Sequence, residues 1–522
     1  MLKSILIAER SKAGRFSFHP ICKPWFLIWA LLMATLPSFA ARGFDQQSVT
    51  LAKQNLSPES KAHPVDLIAD GRKELVVTQK NEAAVFAAEP KDFVLKQKVK
   101  LATPNQGAGN IFYTFGRLGQ GERRSLMTMD SKGVYYYEAG PDNIVDEPRL
   151  LLKADLLPSR GPEKPPQYFD FALDLDNDGL DELLLPTDRG ISIYHQDSPL
   201  KFSKADLPRN AYSRSKAFSF QMLTPADPTR LPVESGYTSA RSGVDNLLLF
   251  DANGDGLQDL IFSQTNPGPN SKQVERYEIF LQRKNMSFNS EPSQIIEFPY
   301  EPNADVTFRD LNRDGKLDAL LIKSNLDIIN PKTVIKFYIA GRQQYQLFNQ
   351  ESDRFITKDP IGIVRIADFN NDGFVDFAMT YFSYQFGSSE DIVDFALANK
   401  MKFKLQFFLN TGAKGFSHQP SVEKEIAINL KPDSYRDYPP LMIVDDMNGD
   451  KVMDLAVRAA EDKLQIYLSN GNLSYDKNPA GDISIPGDAA VTVTDANGDG
   501  LADVIISNAK RQLFTVYYSI TK

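Results

Sequence analysis

Six short stretches of this chain concentrate oxygen-bearing side chains at a fixed spacing. They begin at Asp174 (DLDNDGLDELLL), Asp251 (DANGDGLQDLIF), Asp310 (DLNRDGKLDALL), Asp368 (DFNNDGFVDFAM), Asp446 (DMNGDKVMDLAV) and Asp495 (DANGDGLADVII). Each has Asp at position 1, Asp or Asn at 3, Asp at 5 and an acid at 9. Position 6 is glycine except in the Asp446 copy, where Lys451 replaces it. Alternate residues of a tight loop can turn their oxygens toward one point, and glycine permits the reversal at positive φ. Such a loop suits calcium, a hard cation that takes six to eight oxygens at about 2.3–2.6 Å. Asp, Asn and Gly also favour plain turns without metal. Three or four carboxylates packed together repel, however, and a cation relieves that repulsion. Six copies make the metal-free reading a poor one.

The glycine at position 6 suggests an EF-hand, but the rest of the loop does not. An EF-hand ends on a bidentate Glu at position 12 and lies between helices. Position 12 here is Leu185, Phe262, Leu321, Met379, Val457 or Ile506. The last acid is instead at position 9. A dockerin-like loop fails on the same residue.

The elements that must hold these loops are strands. The copies are 77, 59, 58, 78 and 49 residues apart, a period that points to a propeller or similar array. An alternating apolar run precedes each loop and a β-rich run follows it, with further strands such as "YEIFLQ" and "KLQIYLSN". Four short strands per repeat describe a propeller blade. Two weaker copies, at Asp66 (DLIADGRKELVV) and Gly116 (GRLGQGERRSLM), lack enough oxygens and are expected to be metal-free. The expected fold is therefore all-β, a β-propeller of four-stranded antiparallel blades. Eight blades are expected, with seven the alternative if the Gly116 repeat is only a decorated strand pair. The last blade has room for too few strands, so the N-terminal piece from Phe44 is expected to complete it and close the ring.

The motif in its β context resembles the FG-GAP/VCBS repeats of integrin-α-type β-propellers, over essentially all of residues 41–522. The resemblance implies calcium in the hairpin between the first and second strands of a blade, up to six ions in all. Its implied ligands are Asp174, Asp176, Asp178 and Glu182; Asp251, Asn253, Asp255 and Asp259; Asp310, Asn312, Asp314 and Asp318; Asp368, Asn370, Asp372 and Asp376; Asp446, Asn448, Asp450 and Asp454; and Asp495, Asn497, Asp499 and Asp503. The Lys451 loop is expected to be the weakest, because a side chain at positive φ is strained. The calcium is expected to be structural rather than regulatory.

The first forty residues read as a signal peptide. A basic lead (Lys3, Arg10, Lys12, Arg15, Lys23) precedes an apolar run from Trp25 to Leu36, and cleavage is expected after Ala40. That run is short of the roughly 20 residues a membrane span needs. The protein is therefore expected to be secreted, periplasmic or on the cell surface, with no transmembrane segment after cleavage. Residues 41–522 form one domain in this reading. Cys22 is the only cysteine, so the mature chain has no disulfide. The formal charge is −8, and −12 without the leader, which argues against nucleic acid.

No catalytic motif is apparent in the sequence. His63, His195 and His418 remain after export, outside any H-E-x-x-H or G-x-S-x-G pattern. His195 reads as an ordinary surface or packing residue. The leading expectation is a binding or adhesion module for a protein or glycan. A polysaccharide lyase, glycosidase or lectin on the same scaffold is the alternative. Long connections at residues 205–244, 264–276, 324–333 and 380–400 are expected on the face opposite the metal loops. They carry Tyr212, Tyr237, Arg241, Tyr381, Phe382, Tyr384 and Phe386, types suited to recognition. These aromatics could equally pack the connections onto the scaffold.

Overall fold

The computed structural model describes residues between Phe44 and Ser519. Residues 1–43, 51–60, 157–165, 208–238, 383–399 and 430–440, with shorter stretches, lie outside the description. The leader thus lies outside it, as do Tyr212, Tyr237, Tyr384 and Phe386.

Among the described residues the regular elements are all β-strands. They pair mainly as antiparallel meanders. The first runs through Lys61–Val65, Glu74–Gln79, Glu82–Ala88 and Phe93–Lys100 in chain order. Six separate sheets hold four or five strands, and a further sheet holds eight. The eight-stranded sheet contains two meanders. One spans Ile361–Ala367 to Val422–Asn429 and the other Leu441–Val444 to Gly481–Ser484; a single parallel pair, Asn429 with Ala460, joins them. No helix among the described residues is long and apolar enough to cross a membrane.

Burial follows position in the meander. The second strands, such as Glu182–Thr187 and Asp454–Ala460, are buried almost throughout. They are sandwiched on both faces, which is why their sequences are continuous apolar runs. The fourth strand Val422–Asn429 alternates and leaves every second residue exposed. Each hydrophobic cluster spans neighbouring meanders. Leu248, Ile261, Tyr277 and Phe298 pack with Val306, Phe308, Leu321 and Tyr338 of the next unit. Leu75, Val77 and Phe86 of the first meander pack with Ala496, Ile505 and Val516 of the last. The first and last units are therefore neighbours, as a β-propeller requires.

Phe44–Thr50 pairs antiparallel with Leu513–Ser519, from Phe44 opposite Ser519 to Thr50 opposite Leu513. It is the fourth strand of a sheet otherwise made from the C-terminal end of the chain. Closure by the N-terminal strand is thus observed.

The connections depart from expectation in several places. Residues 264–276 are not a free loop, because Gln264 to Pro267 pair with Arg276 to Gln273 and lengthen a hairpin. Within 324–333, Ser324 and Asn325 likewise pair with Thr333 and Lys332. Tyr381 is buried in a core cluster with Phe337, Phe355 and Phe377, so it is a packing residue and not an exposed recognition residue. Phe382 ends the same strand, opposite Phe403. Arg241 lies in a short strand, opposite Asp305. The sequence reading missed the hairpin extensions because QTNP, QVER, SN and KT are mostly polar and carry no apolar run.

Candidate metal centres

The six acidic loops share one hydrogen-bonding plan. In the Asp251 loop, Asp251 Oδ2 accepts the Gly256 N–H at 2.9 Å and Oδ1 accepts the Gly254 and Asp255 N–H groups at 2.7 and 3.2 Å. Asp255 Oδ1 accepts the Leu257 N–H. The same position-1 to position-6 bond recurs at Gly179, Gly315, Gly373, Lys451 and Gly500. All six position-6 residues have positive φ, from 65° at Lys451 to 89° at Gly179. Lys451 therefore holds the strained conformation that glycine relieves elsewhere.

The position-9 acid lies beneath the loop. Glu182, Asp259, Asp318, Asp376, Asp454 and Asp503 are all fully buried. One oxygen of each accepts the N–H of position 2: Leu175, Ala252, Leu311, Phe369, Met447 and Ala496. The other accepts an N–H from the end of the third strand or just past it: Gln196, Gln282, Ala340, Asn410, Ser469 and Ser519. The carboxylate thus ties the loop to the next hairpin, whatever else it does. Burial pushes these acids up, to about 7 for Glu182, Asp259, Asp318, Asp376 and Asp503 and about 8 for Asp454. Each has a buried negative charge that two amides only partly offset, and nearby acids of the loop raise it further.

At position 3, Asn253, Asn312, Asn370 and Asn497 each donate from Nδ2 to the position-5 Asp, at 3.0–3.2 Å. Asn448 differs: it is buried, and its Nδ2 reaches the Ser469 carbonyl at 3.2 Å. The Asp446 loop is therefore unusual twice over, in its lysine and in its inward asparagine.

The loops touch in sequence. Gln258 N–H donates to the Leu175 carbonyl, Met453 N–H to Phe369, and Ala502 N–H to Asp446. Asn410 Nδ2 reaches the Leu311 carbonyl, and Gln294 bonds both N–H and C=O of Leu317. Arg313 lies over the Phe374 ring at 4.2 Å. Between the last and first loops, Lys73 Nζ donates to the Asp495 carbonyl at 2.5 Å.

The two weak copies keep the tie without the acid cluster. In the Asp66 loop Glu74 accepts the Leu67 N–H at 2.7 Å, as a position-9 acid does. The Gly116 loop has Arg124 at position 9. Its position-2 amide, on Arg117, is met instead by Asp181 of the following unit at 2.9 Å. Arg117 Nε also donates to Asp181, and its Nη2 to Asp174 at 2.8 Å. Here a guanidinium approaches where the other loops present only acids. Sequence reasoning missed this inversion, although the arginines at 117, 123 and 124 were its signal.

It also missed His195. The His195 ring lies over the Asp174 loop, with Nδ1 3.1 Å from Glu182 Oε1 and 3.7 Å from Asp176 Oδ2. These carboxylates raise its pKa, the hydrogen bond to Glu182 most of all. Asp174, Asp176 and Asp178 form one cluster of possible metal donors, and Asp176, Glu182 and His195 a second.

No curated protein matches the sequence. Among solved structures, an Agrocybe aegerita lectin described as recognising non-reducing terminal N-acetylglucosamine aligns at 13% identity with TM-score 0.40, covering 90% of this chain and 96% of its own. The V. cholerae biofilm matrix protein Bap1 aligns at 12% identity with TM-score 0.25, covering 89% and 77%. The exotype rhamnogalacturonan lyase YesX aligns at 12% identity with TM-score 0.28, covering 90% and 72%. The FG-GAP-like repeat matches residues 251–321 and 446–506, and the chain is a β-propeller that carries this repeat.

Proposed function

We propose that this protein is an exported, calcium-stabilised β-propeller of eight blades that serves as a binding module for a protein or glycan. The observation that carries the reading is the set of six all-oxygen loops, each clamped to its hairpin by a buried acid and linked to its neighbours. The donor set fits calcium: positions 1, 3 and 5 offer only carboxylate and amide oxygens. The position-9 carboxylates accept two amides and have acceptor capacity left. A dication would offset the buried charge that raises their pKa values. In this reading the ions brace the hairpins, and Lys451 and the inward Asn448 make the Asp446 site the weakest. The eight-blade count is supported by the two meanders of the eight-stranded sheet and by the links that run from loop to loop. A rigid frame of this kind leaves recognition to its connections.

Chelator-stripped protein reloaded by dialysis should take up about six calcium ions and melt at a higher temperature with calcium than without. Uptake of none would remove the calcium reading. The binding role is tested by screening the calcium-loaded protein on glycan arrays and soluble polysaccharides. Retention without turnover supports a binding module, and release of shortened products would replace it with a carbohydrate-active enzyme.

A further inference from the structure

Three of the features that set the Asp174 unit apart from the other five meet at one place. Position 3 is Asp176 where the others have Asn, and position 9 is Glu182 where the others have Asp. The third difference lies across the strand. Leu183 pairs with Tyr194, so the next step places Glu182 beside His195. By the same register, the residue beside the position-9 acid is Leu281, Ile339, Leu409, Leu468 or Tyr518 in the other units. Four of those are aliphatic and the fifth is a tyrosine, and all five pack in or against core clusters. Only here does an imidazole stand over the acid.

We propose that His195 Nδ1, Glu182 and Asp176 form a site for a first-row transition-metal dication of the zinc class (Zn2+, Co2+ or Ni2+) within the Asp174 loop, where it would displace that loop's calcium, two of whose four implied ligands it shares. The donor atoms of the three residues all lie within 4.8 Å of one another. The separations from Nδ1, 3.1 and 3.7 Å, bracket the ~3.4 Å between tetrahedral ligands bound at about 2.1 Å. The Asp176 side chain is nine-tenths buried, yet its Oδ1 has no hydrogen-bond partner. A buried, unpartnered carboxylate oxygen is costly unless something positive meets it. Imidazole nitrogen with carboxylate oxygen suits zinc-class metals, whereas calcium prefers oxygen alone. Asp197 Oδ1 lies 3.9 Å from Nε2, on the far side of the ring. At that distance it is an electrostatic neighbour of the ring and not a hydrogen-bond partner. The competing account is a protonated His195 that itself serves as the cation.

The test uses full-length protein purified without a polyhistidine tag, stripped with chelator and dialysed against Co2+ in excess calcium. Bound cobalt and calcium are both measured, together with the visible cobalt absorption. Wild-type protein should take up one cobalt with a nitrogen-ligand band. His195→Leu and Asp176→Asn each restore the residue type found in the sibling loops, so both should fold. Each should weaken cobalt binding by at least about 100-fold, the upper end of the loss seen for outer-shell changes, with calcium uptake by the other loops unchanged. Cobalt uptake that is absent in the wild type, or unchanged in both variants, would overturn the site. Calcium content in the same samples reports on the calcium reading separately.

Discussion

Two residues have roles that follow from a single contact or dihedral angle. Lys451 sits at φ 65°. A left-handed conformation costs a residue with a Cβ roughly 1–2 kcal/mol, and glycine gives back part of this through its freer unfolded chain. Lys451→Gly should therefore raise stability by about 0.5–1 kcal/mol in denaturant melts. It should also bring the Asp446 loop nearer to its siblings in calcium affinity. Asp181 is the other case. It is 1% exposed and answers the Arg117 amide, the Arg117 guanidinium and, at 3.8 Å, Arg124. Removing Asp181 leaves the Arg117 amide without its acceptor, while the guanidinium keeps Asp174, at a cost of about 2 kcal/mol. Asp181→Ala should lose about that much by equilibrium denaturation, with or without calcium. Asp181→Leu of similar bulk should lose as much, because the missing quantity is the acceptor and not the volume.

At the scale of the loop-bearing hairpin, the position-9 acid and the oxygen-bearing side chains at 1, 3 and 5 do different work. Asp259 satisfies two buried amides, and each unmet amide costs about 1–3 kcal/mol. Asp259→Ala should thus destabilise the protein by about 3 kcal/mol even in chelator. Asp255→Ala removes an exposed acid, so its effect in chelator should be small and should appear only when calcium is added. Equal losses for both variants in chelator would contradict this division of labour. The raised position-9 acids add a pH dependence. A carboxyl that ionises near 7 in the fold and near 4 when unfolded binds its proton more tightly in the native state. Metal-free protein should therefore lose stability as pH rises from about 4 to about 7, and change little above. Under the proposed calcium binding, the ion would select the ionised form, so adding calcium should remove that decline. A flat metal-free profile across this range would show that the burial penalty is offset by other means. The spacing of Asp, Asn and Gly made these loops legible in the sequence, as did the apolar position 12. Leu185, Leu321, Val457 and Ile506 are indeed core. The amide ties were not legible. An acid before an apolar run looks the same whether it faces a cation or two backbone N–H groups, and only the strand register decides. His195 was misread for the same reason: alternation marks a strand but does not say which residue lies across from it.

At the scale of the whole molecule, closure rests on the seven residues Phe44–Thr50. Their pairing with Leu513–Ser519 covers the outer side of a strand that otherwise has one neighbour, Asp503–Asn508. The last unit is thereby built from both ends of the chain, and it packs on the first through Val516 and Ala496 against Leu75 and Phe86. This pattern was visible in the sequence because the final repeat was too short for four strands while the N-terminal segment had no repeat of its own. Such a clasp makes stability depend on a contact of maximal sequence separation, which contributes only after the rest has assembled. Deleting residues 43–50 should leave the other sheets able to form, with far-UV circular dichroism largely kept. The bare edge of Leu513–Ser519 would then offer its N–H and C=O groups to other copies. The truncated protein should melt several degrees lower than the intact chain and form concentration-dependent oligomers in analytical ultracentrifugation. A synthetic peptide of residues 43–50 added in excess should suppress those oligomers by reoccupying the edge. Truncated protein that stays monomeric and melts with the intact chain would mean that side-chain packing between the first and last units closes the ring without the strand.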